Sequence, residues 1–176
     1  MATLRDRMIG AARLQTSVYE EVEADQGATG QAMAIVVLAS LAGGVGMSTG
    51  GTGLLAFVNL TLASLVGWFV WAVLTYVLGT RMFAEPQTNA SVGELLRTTG
   101  FAAAPGLLRV FGIVPGFGWL VYFVTAIWML ATMVVAVRQA LDYRSTGRAV
   151  GVCLVGWFIS LALAALIGFA SGPTVQ

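Results

Sequence analysis

Long uncharged stretches dominate the pattern of polar and apolar positions along this chain. No charged residue occurs in 26–80, 110–137 or 149–176. A hydrocarbon core about 30 Å thick takes roughly 20 helical residues, so the first stretch fits two spans and each of the others fits one. These stretches predict four membrane spans, at 28–47, 54–79, 118–137 and 149–170.

A further apolar segment, 95–112, is shorter and contains Arg97 and Arg109. If it crosses the membrane, the N-terminus and the loops 80–94 and 138–148 share one side, which collects most of the nine arginines there. The positive-inside rule favours this arrangement over a re-entrant segment. We therefore predict an all-α integral membrane bundle with five transmembrane helices, in the cytoplasmic membrane, with the N-terminus cytoplasmic and the C-terminus outside.

The first 25 residues have the pattern of an amphipathic helix that lies at the membrane surface. Thr3 and Asp6 are spaced as an N-cap and its N3 acid, and apolar residues recur at helical spacing as far as Glu23. Its arginines could reach anionic headgroups. The chain then divides into an interfacial helix, 1–25, and a five-span membrane domain, 26–176.

Composition narrows the possible chemistry. The chain is 58% apolar and 10% charged with a net charge of +1, which gives no indication of a nucleic-acid partner. It contains no histidine and no lysine, and its single cysteine is Cys153. A Ser/His/Asp triad, a GxxxxGK phosphate loop and imidazole metal sites are therefore excluded. We predict a protein that is not an enzyme, with no catalytic residues, metal or cofactor.

Opposite charges flank the predicted spans on the predicted cytoplasmic side. An acidic run precedes the first span and arginines follow the fourth, so both should lie at one membrane depth. We expect at least one of these acids to pair with an arginine of the loop 138–148 or with Arg81, although solvation of all these charges is the simpler alternative. The candidate interaction residues are Tyr19, Glu20, Glu21, Glu23, Asp25, Arg138, Asp142, Arg144 and Arg148.

A second group of polar residues lies within the predicted spans and could line a small polar cavity of a permease or channel. For Asn59, Thr61 and Ser64 the role that we favour is interhelical hydrogen bonding. We expect Arg109 to reach the outer interface or to bond to carbonyl groups that Pro105 leaves exposed. Ion-coupled carriers place acids inside their spans, whereas every carboxylate here lies outside them. The candidate cavity residues are Asn59, Thr61, Ser64, Pro105 and Arg109.

Three stretches also carry a family resemblance: VYEEVEADQGATGQA at 18–32, LLRTTGFAAAP at 95–105, and 128–149 with its RQALD and STGRA motifs. They resemble bacterial proteins of the Yip (Ypt/Rab-interacting protein) family. The resemblance implies five spans and a cytoplasmic N-terminus. Eukaryotic members are associated with Rab GTPases and membrane traffic, but only about 25 residues precede the first span here, so that role is not carried over.

These observations favour a non-enzymatic membrane scaffold or accessory subunit, Yip-like in fold. Its expected partners are membrane lipids and either another membrane protein or a second copy of the chain, without nucleic acid. The alternative is the permease-like or channel-like protein with a polar cavity around Pro105 and Arg109. A subunit of a large energy-converting complex is a third possibility.

Overall fold

A computed structural model shows the chain as a bundle of helices and describes residues 2–47 and 54–171. The α-helices in chain order are α1 (Leu4–Ala12), α2 (Thr16–Ala24), α3 (Ala28–Met47), α4 (Leu54–Val77), α5 (Val92–Ala102), α6 (Gly118–Ala140) and α7 (Thr146–Ser171). A π-helical turn, Leu78–Met82, extends α4, and a 3-10 helix, Ala104–Ile113, follows α5. None of the described residues forms a strand, so the predicted all-α fold is confirmed over them.

Long apolar helices make this a multi-pass membrane protein. Within the described ranges, four helices are long and apolar enough to cross a bilayer: Ala28–Met47, Phe57–Met82, Gly118–Ala140 and Thr146–Leu163. They coincide with the four spans predicted from the uncharged stretches. Large apolar side chains such as Leu55, Phe123 and Trp157 are exposed on these helices, as expected where lipid is the solvent. Residues 48–53, between the first two predicted spans, lie outside the described residues.

The remaining predicted span consists of two short elements, α5 and the 3-10 helix. Pro105 lies in the first turn of the 3-10 helix, where its missing N–H is tolerated, although it could not donate within a continuing α-helix. Eleven α-helical residues rise about 1.5 Å each and ten 3-10 residues rise about 2.0 Å each, giving roughly 36 Å together. Because a 3-10 helix rises more per residue than an α-helix, the segment is longer than its number of residues suggests. We call these two elements the composite segment.

The composite segment lies between α3 and α6. Thr132 of α6 donates its hydroxyl to the carbonyl oxygen of Ala102 at 2.7 Å. Nearer the N-terminus of α6, Arg109 Nε donates to Thr125 Oγ1 at 3.4 Å. Gly46 of α3 passes so close to the carbonyl oxygen of Arg109 that a Cβ would have no room. Small residues thus let the composite segment approach α3 closely along its length.

The predicted single helix over 3–23 is wrong, because the chain reverses between α1 and α2. Leu14 has a φ of 62°, in the left-handed region that non-glycine residues rarely adopt. Val18 then packs on Gly10, where a Cβ would lie 2.6 Å from Val18 Cγ2. The predicted Thr3–Asp6 capping box is present at the start of α1. The N-terminal segment is therefore an antiparallel helical hairpin.

The α1–α2 hairpin packs into the bundle. Ala11 and Tyr19 are fully buried in one core cluster with Ala32 of α3 and Phe101 of α5. At the C-terminus of α1, the carbonyl oxygen of Ala12 accepts a hydrogen bond of 2.7 Å from the indole N–H of Trp128. Since Trp128 lies near the middle of α6, the tip of the hairpin reaches the same level as the middle of that helix.

Candidate functional site

Arg7 joins the α1–α2 hairpin to α3 through hydrogen bonds and ion pairs. Its Nη2 donates to Glu21 Oε1 and to Asp25 Oδ2, both at 2.8 Å, and its Nη1 donates to Gln31 Oε1 at 2.9 Å. Arg7 is only 4% exposed, so its charge depends on these partners. The hydrogen bond with Glu21 raises the pKa of Arg7, and the hydrogen bond from Arg7 lowers the pKa of Asp25. Three helices therefore meet at one guanidinium.

Arg97 of α5 binds the C-terminal end of α2, the same end of the hairpin that Arg7 contacts. Its Nε donates to the carbonyl oxygens of Val22 and Glu23, both at 3.0 Å, and its Nη2 also donates to Glu23. The last carbonyl groups of a helix have no partner within that helix, and an arginine commonly satisfies them. Arg97 is buried, so this predicted-span arginine stabilises a helix terminus.

Tyr19, one of the candidate interaction residues, is internal to the hairpin. It is fully buried, and its hydroxyl donates to the carbonyl oxygen of Ala11 at 3.1 Å. Its contact therefore joins α2 to α1, and its side chain is not on the surface that the other candidate residues form.

Carboxylates from three parts of the chain line an open cleft of about 420 Å³. Glu20 and Glu23 lie on α2, Glu94 on α5, and Asp142 directly after α6. Gln139 Nε2 donates to Glu20 Oε1 at 3.0 Å, which joins α6 to α2 at the rim. We call this feature the acidic cleft, and its remaining lining residues are Ala24, Arg138 and Tyr143.

Burial and neighbouring negative charges raise the pKa values of two carboxyl groups in the acidic cleft. Burial raises the pKa of Glu23 to about 7, helped by the neighbouring carboxylates of Asp142 and Glu94 and opposed by Arg97. Burial and Glu94 also raise the pKa of Asp142. Arg138 does not neutralise these acids, because it donates to the carbonyl oxygens of its own loop. In the part of the chain that the structure describes, no group of acids, cysteines or histidines is arranged to hold a metal ion.

The expected ion pair between the acids of 20–25 and the loop arginines is wrong for the described residues. Glu21 and Asp25 pair with Arg7, because the reversal of the hairpin returns α1 to the end of α2. Arg148 pairs with Glu85 at 3.3 Å instead. Glu85 also accepts the backbone N–H of Arg144 at 3.0 Å, and this hydrogen bond is the main reason that the pKa of Glu85 is lowered.

Arg109, from the candidate cavity residues, contacts α6. Its guanidinium lies 5.5 Å from the centroid of the Tyr122 ring, in a cation–π contact, and its Nε donates to Thr125. The Tyr122 hydroxyl in turn donates to the carbonyl oxygen of Gly43 at 2.5 Å. These contacts join the composite segment, α6 and α3 near the N-terminus of α6.

The other candidate cavity residues are divided between two places. Pro105 is buried in the composite segment and borders an apolar recess beside α1. On α4, Asn59 is exposed, Thr61 is half-buried, and Ser64 donates its hydroxyl to the carbonyl oxygen of its own helix at Leu60. Over the described ranges, none of the three α4 side chains hydrogen-bonds to Arg109.

Comparison with known protein families finds a match that covers most of the chain. The family model of the Yip1 domain matches residues 16–167. This chain belongs to the Yip1 domain family. No curated protein and no solved structure is significantly similar to it. The family resemblance predicted from the three sequence stretches is therefore confirmed, and the acidic cleft lies wholly within the matched Yip1 domain, whereas Arg7 precedes it.

Sequence reasoning found part of the cleft and missed the rest. It selected Glu20, Glu23, Arg138 and Asp142, which the structure brings together. It missed Glu94, which it assigned only to the loop 80–94; in the structure Glu94 forms a capping box with Ser91 at the start of α5. The spacing S-x-x-E does not reveal that the same carboxylate faces α2 across the bundle.

Proposed function

We propose that this Yip1-domain protein is a non-enzymatic membrane scaffold or accessory subunit that binds lipid and a protein partner. It crosses the cytoplasmic membrane five times, with the N-terminus cytoplasmic and the C-terminus outside. The composite segment supplies the fifth crossing, since its length of about 36 Å exceeds a hydrocarbon core of about 30 Å. This topology places the N-terminus and the arginines of 80–94 and 138–148 on one side.

The acidic cleft is the observation that carries the proposal. Its carboxylates come from α2, from α5 and from the loop after α6, and Arg7 and Arg97 fix the hairpin that contributes two of them. A surface that is already ordered loses little conformational entropy on binding. Because the cleft is acidic, its partner presents basic side chains, which also speed the encounter of the two proteins.

The permease-like alternative has less support. Arg109 is engaged by Tyr122 and Thr125, and Ser64 bonds within α4. Flux through reconstituted liposomes that is lost in Arg109→Ala would favour that alternative over the scaffold.

Photo-crosslinking in native membranes tests the scaffold. A benzoylphenylalanine at Gln139, on the rim of the cleft, is compared with one at Val124, an exposed residue on the lipid-facing part of α6. We expect one recurrent protein adduct from position 139 and only lipid adducts from position 124. Adding Glu94→Gln and Asp142→Asn should abolish the protein adduct. An adduct at twice the mass of the chain would identify the partner as a second copy.

Absence of a protein adduct at position 139 would refute the partner-binding role. So would an adduct whose yield is unchanged when the two carboxylates are neutralised, because the acidic cleft would then not be the surface that the partner recognises.

A further inference from the structure

The tip of the α1–α2 hairpin places an arginine at the level of the middle of a span. Ala12 is held by Trp128 at 2.7 Å, and Arg13 is the next residue. At about 1.5 Å per residue, Trp128 lies roughly 15 to 18 Å from either end of α6. Half of a hydrocarbon core about 30 Å thick is about 15 Å, so Arg13 is deep in the leaflet.

Arg13 has no counter-charge within the described part of the chain. Its side chain is exposed and forms no hydrogen bond or ion pair with another described residue, although its backbone N–H donates to the carbonyl oxygen of Ile9 at 3.0 Å. Arg7, two turns earlier on α1, is by contrast buried and fully engaged. An arginine inside a membrane is costly unless an anion or a polar group reaches it. Among the described residues nothing supplies such a group, so we expect the partner of the Arg13 side chain to lie outside them.

An apolar recess of about 330 Å³ lies directly beside Arg13. Met8 of α1, Leu108 of the composite segment and Trp128 of α6 are among its walls, and Arg13 is its one charged lining residue. Two of its lining residues, Ile9 and Leu108, are 40% and 38% exposed, so the recess is open at the surface of the bundle.

We propose that one anionic phospholipid binds here, with its phosphate on the Arg13 guanidinium and one acyl chain in the recess between α1 and the 3-10 helix. Guanidinium and phosphate match as a bidentate, charge-assisted pair. The flexible arginine side chain reaches towards the interface while the headgroup is drawn inward. The proposal rests on the membrane topology proposed above and names the lipid that the scaffold binds.

Native mass spectrometry of the full chain tests this site. The protein is released from detergent in the presence of phosphatidylglycerol or, separately, phosphatidylcholine of the same chain length. We expect the wild type to retain one phosphatidylglycerol, and Arg13→Gln to weaken its binding by about tenfold or more, as expected for the loss of one charge-assisted contact. Arg5→Gln removes the same charge from an exposed position on the same helix and should change nothing.

A second variant examines the recess without touching the charge. Leu108→Trp adds bulk to a partly exposed wall and should displace the acyl chain, weakening phosphatidylglycerol binding to a similar degree. Glycerol phosphate at millimolar concentration should not compete, because it lacks the chain that occupies the recess.

Equal loss in Arg13→Gln and Arg5→Gln, or equal retention of the two lipids by the wild type, would overturn the proposal. Efficient competition by glycerol phosphate would equally overturn it in favour of a simple phosphate site. Each of these failures leaves the crosslink at position 139 intact, so the lipid site and the partner-binding role fail separately.

Discussion

The composite segment and α4 both have the length of a membrane crossing, yet they differ in how the chain determines them. α4 is a regular helix of 24 residues with no charge, and residues such as Leu55, Val66 and Phe69 face lipid. The composite segment contains two arginines and a proline, and most of α5 is buried among α2, α3, α6 and one side of α4. Lipid as solvent determines α4, whereas neighbouring helices determine the composite segment.

Cysteine labelling gives the largest expected effect, because it decides whether the composite segment crosses the membrane at all. On a Cys153→Ala background, Asn89→Cys, Val114→Cys and Ser145→Cys report the loops on its two sides and the loop after α6. If it crosses, a membrane-impermeant thiol reagent applied outside labels Val114→Cys alone. Labelling of Ser145→Cys from outside would refute five spans, and common sidedness of Asn89→Cys and Val114→Cys would show a re-entrant segment.

Replacing a glycine with alanine should change the free energy of unfolding in opposite directions in the two regions. Gly46→Ala forces a Cβ against the backbone of Arg109 and should destabilise by about 3 kcal/mol or more, since backbone yields less readily than a side chain. Gly67→Ala on α4 meets nothing within 4 Å and should stabilise by up to about 1 kcal/mol through helix propensity. Reversible unfolding in mixed micelles measures both. Equal effects would mean that the close approach of α3 to the composite segment is unimportant.

Much of the fold was predictable from the sequence where lipid is the solvent. The bounds of α3 agree with the prediction of 28–47. The hairpin was not predictable, since its turn at Arg13, Leu14 and Gln15 contains none of the glycine, proline or asparagine residues that usually signal a reversal. Helical spacing continues on both sides of that turn, so the pattern suggested one helix where there are two.

The candidate site was predictable only in part, because charge patterning gives position along the chain and not partners in space. Glu21 and Asp25 were placed correctly near the first span, but their partner is Arg7, which follows from the reversal at Leu14. The burial of Arg97 under α2 likewise depends on a contact between residues more than 70 positions apart, which no local spacing reveals.

Removing Arg97 should separate the hairpin from the composite segment. Arg97→Gln leaves the last carbonyl groups of α2 without their donor, and we expect a loss of about 2 kcal/mol, the cost of leaving such buried groups unpaired. Limited proteolysis near the α1–α2 turn should become faster in parallel. Arg144→Gln, at an exposed side chain, should stay within about 0.5 kcal/mol of the wild type. Unchanged proteolysis of Arg97→Gln would show that the other contacts of the hairpin hold it in place without Arg97.

The smallest expected effect is a pH dependence of the free energy of unfolding. It comes from the acidic cleft, which borders the composite segment and not α4. The pKa of Glu23 is about 7 in the folded protein, above its ordinary value of 4.5. Between these two values the folded chain holds a proton that the unfolded chain has released, so stability falls as the pH rises from about 4.5 to about 7. The raised pKa of Asp142 acts in the same direction.

Glu23→Gln should remove most of this dependence and raise the melting temperature at pH 8, where wild-type Glu23 is ionised among Glu20, Glu94 and Asp142 and only partly offset by Arg97. Thermal unfolding followed by circular dichroism from pH 5 to pH 8 measures the slope, and Glu20→Gln, which removes a charge from the same helix, should retain most of it. If Glu23→Gln and the wild type keep the same slope over this range, then Glu23 already carries its charge at pH 5 and water reaches the cleft freely. In that case the contacts of α2 with α5 and α6 exclude water from the acidic cleft less completely than the burial of Glu23 indicates.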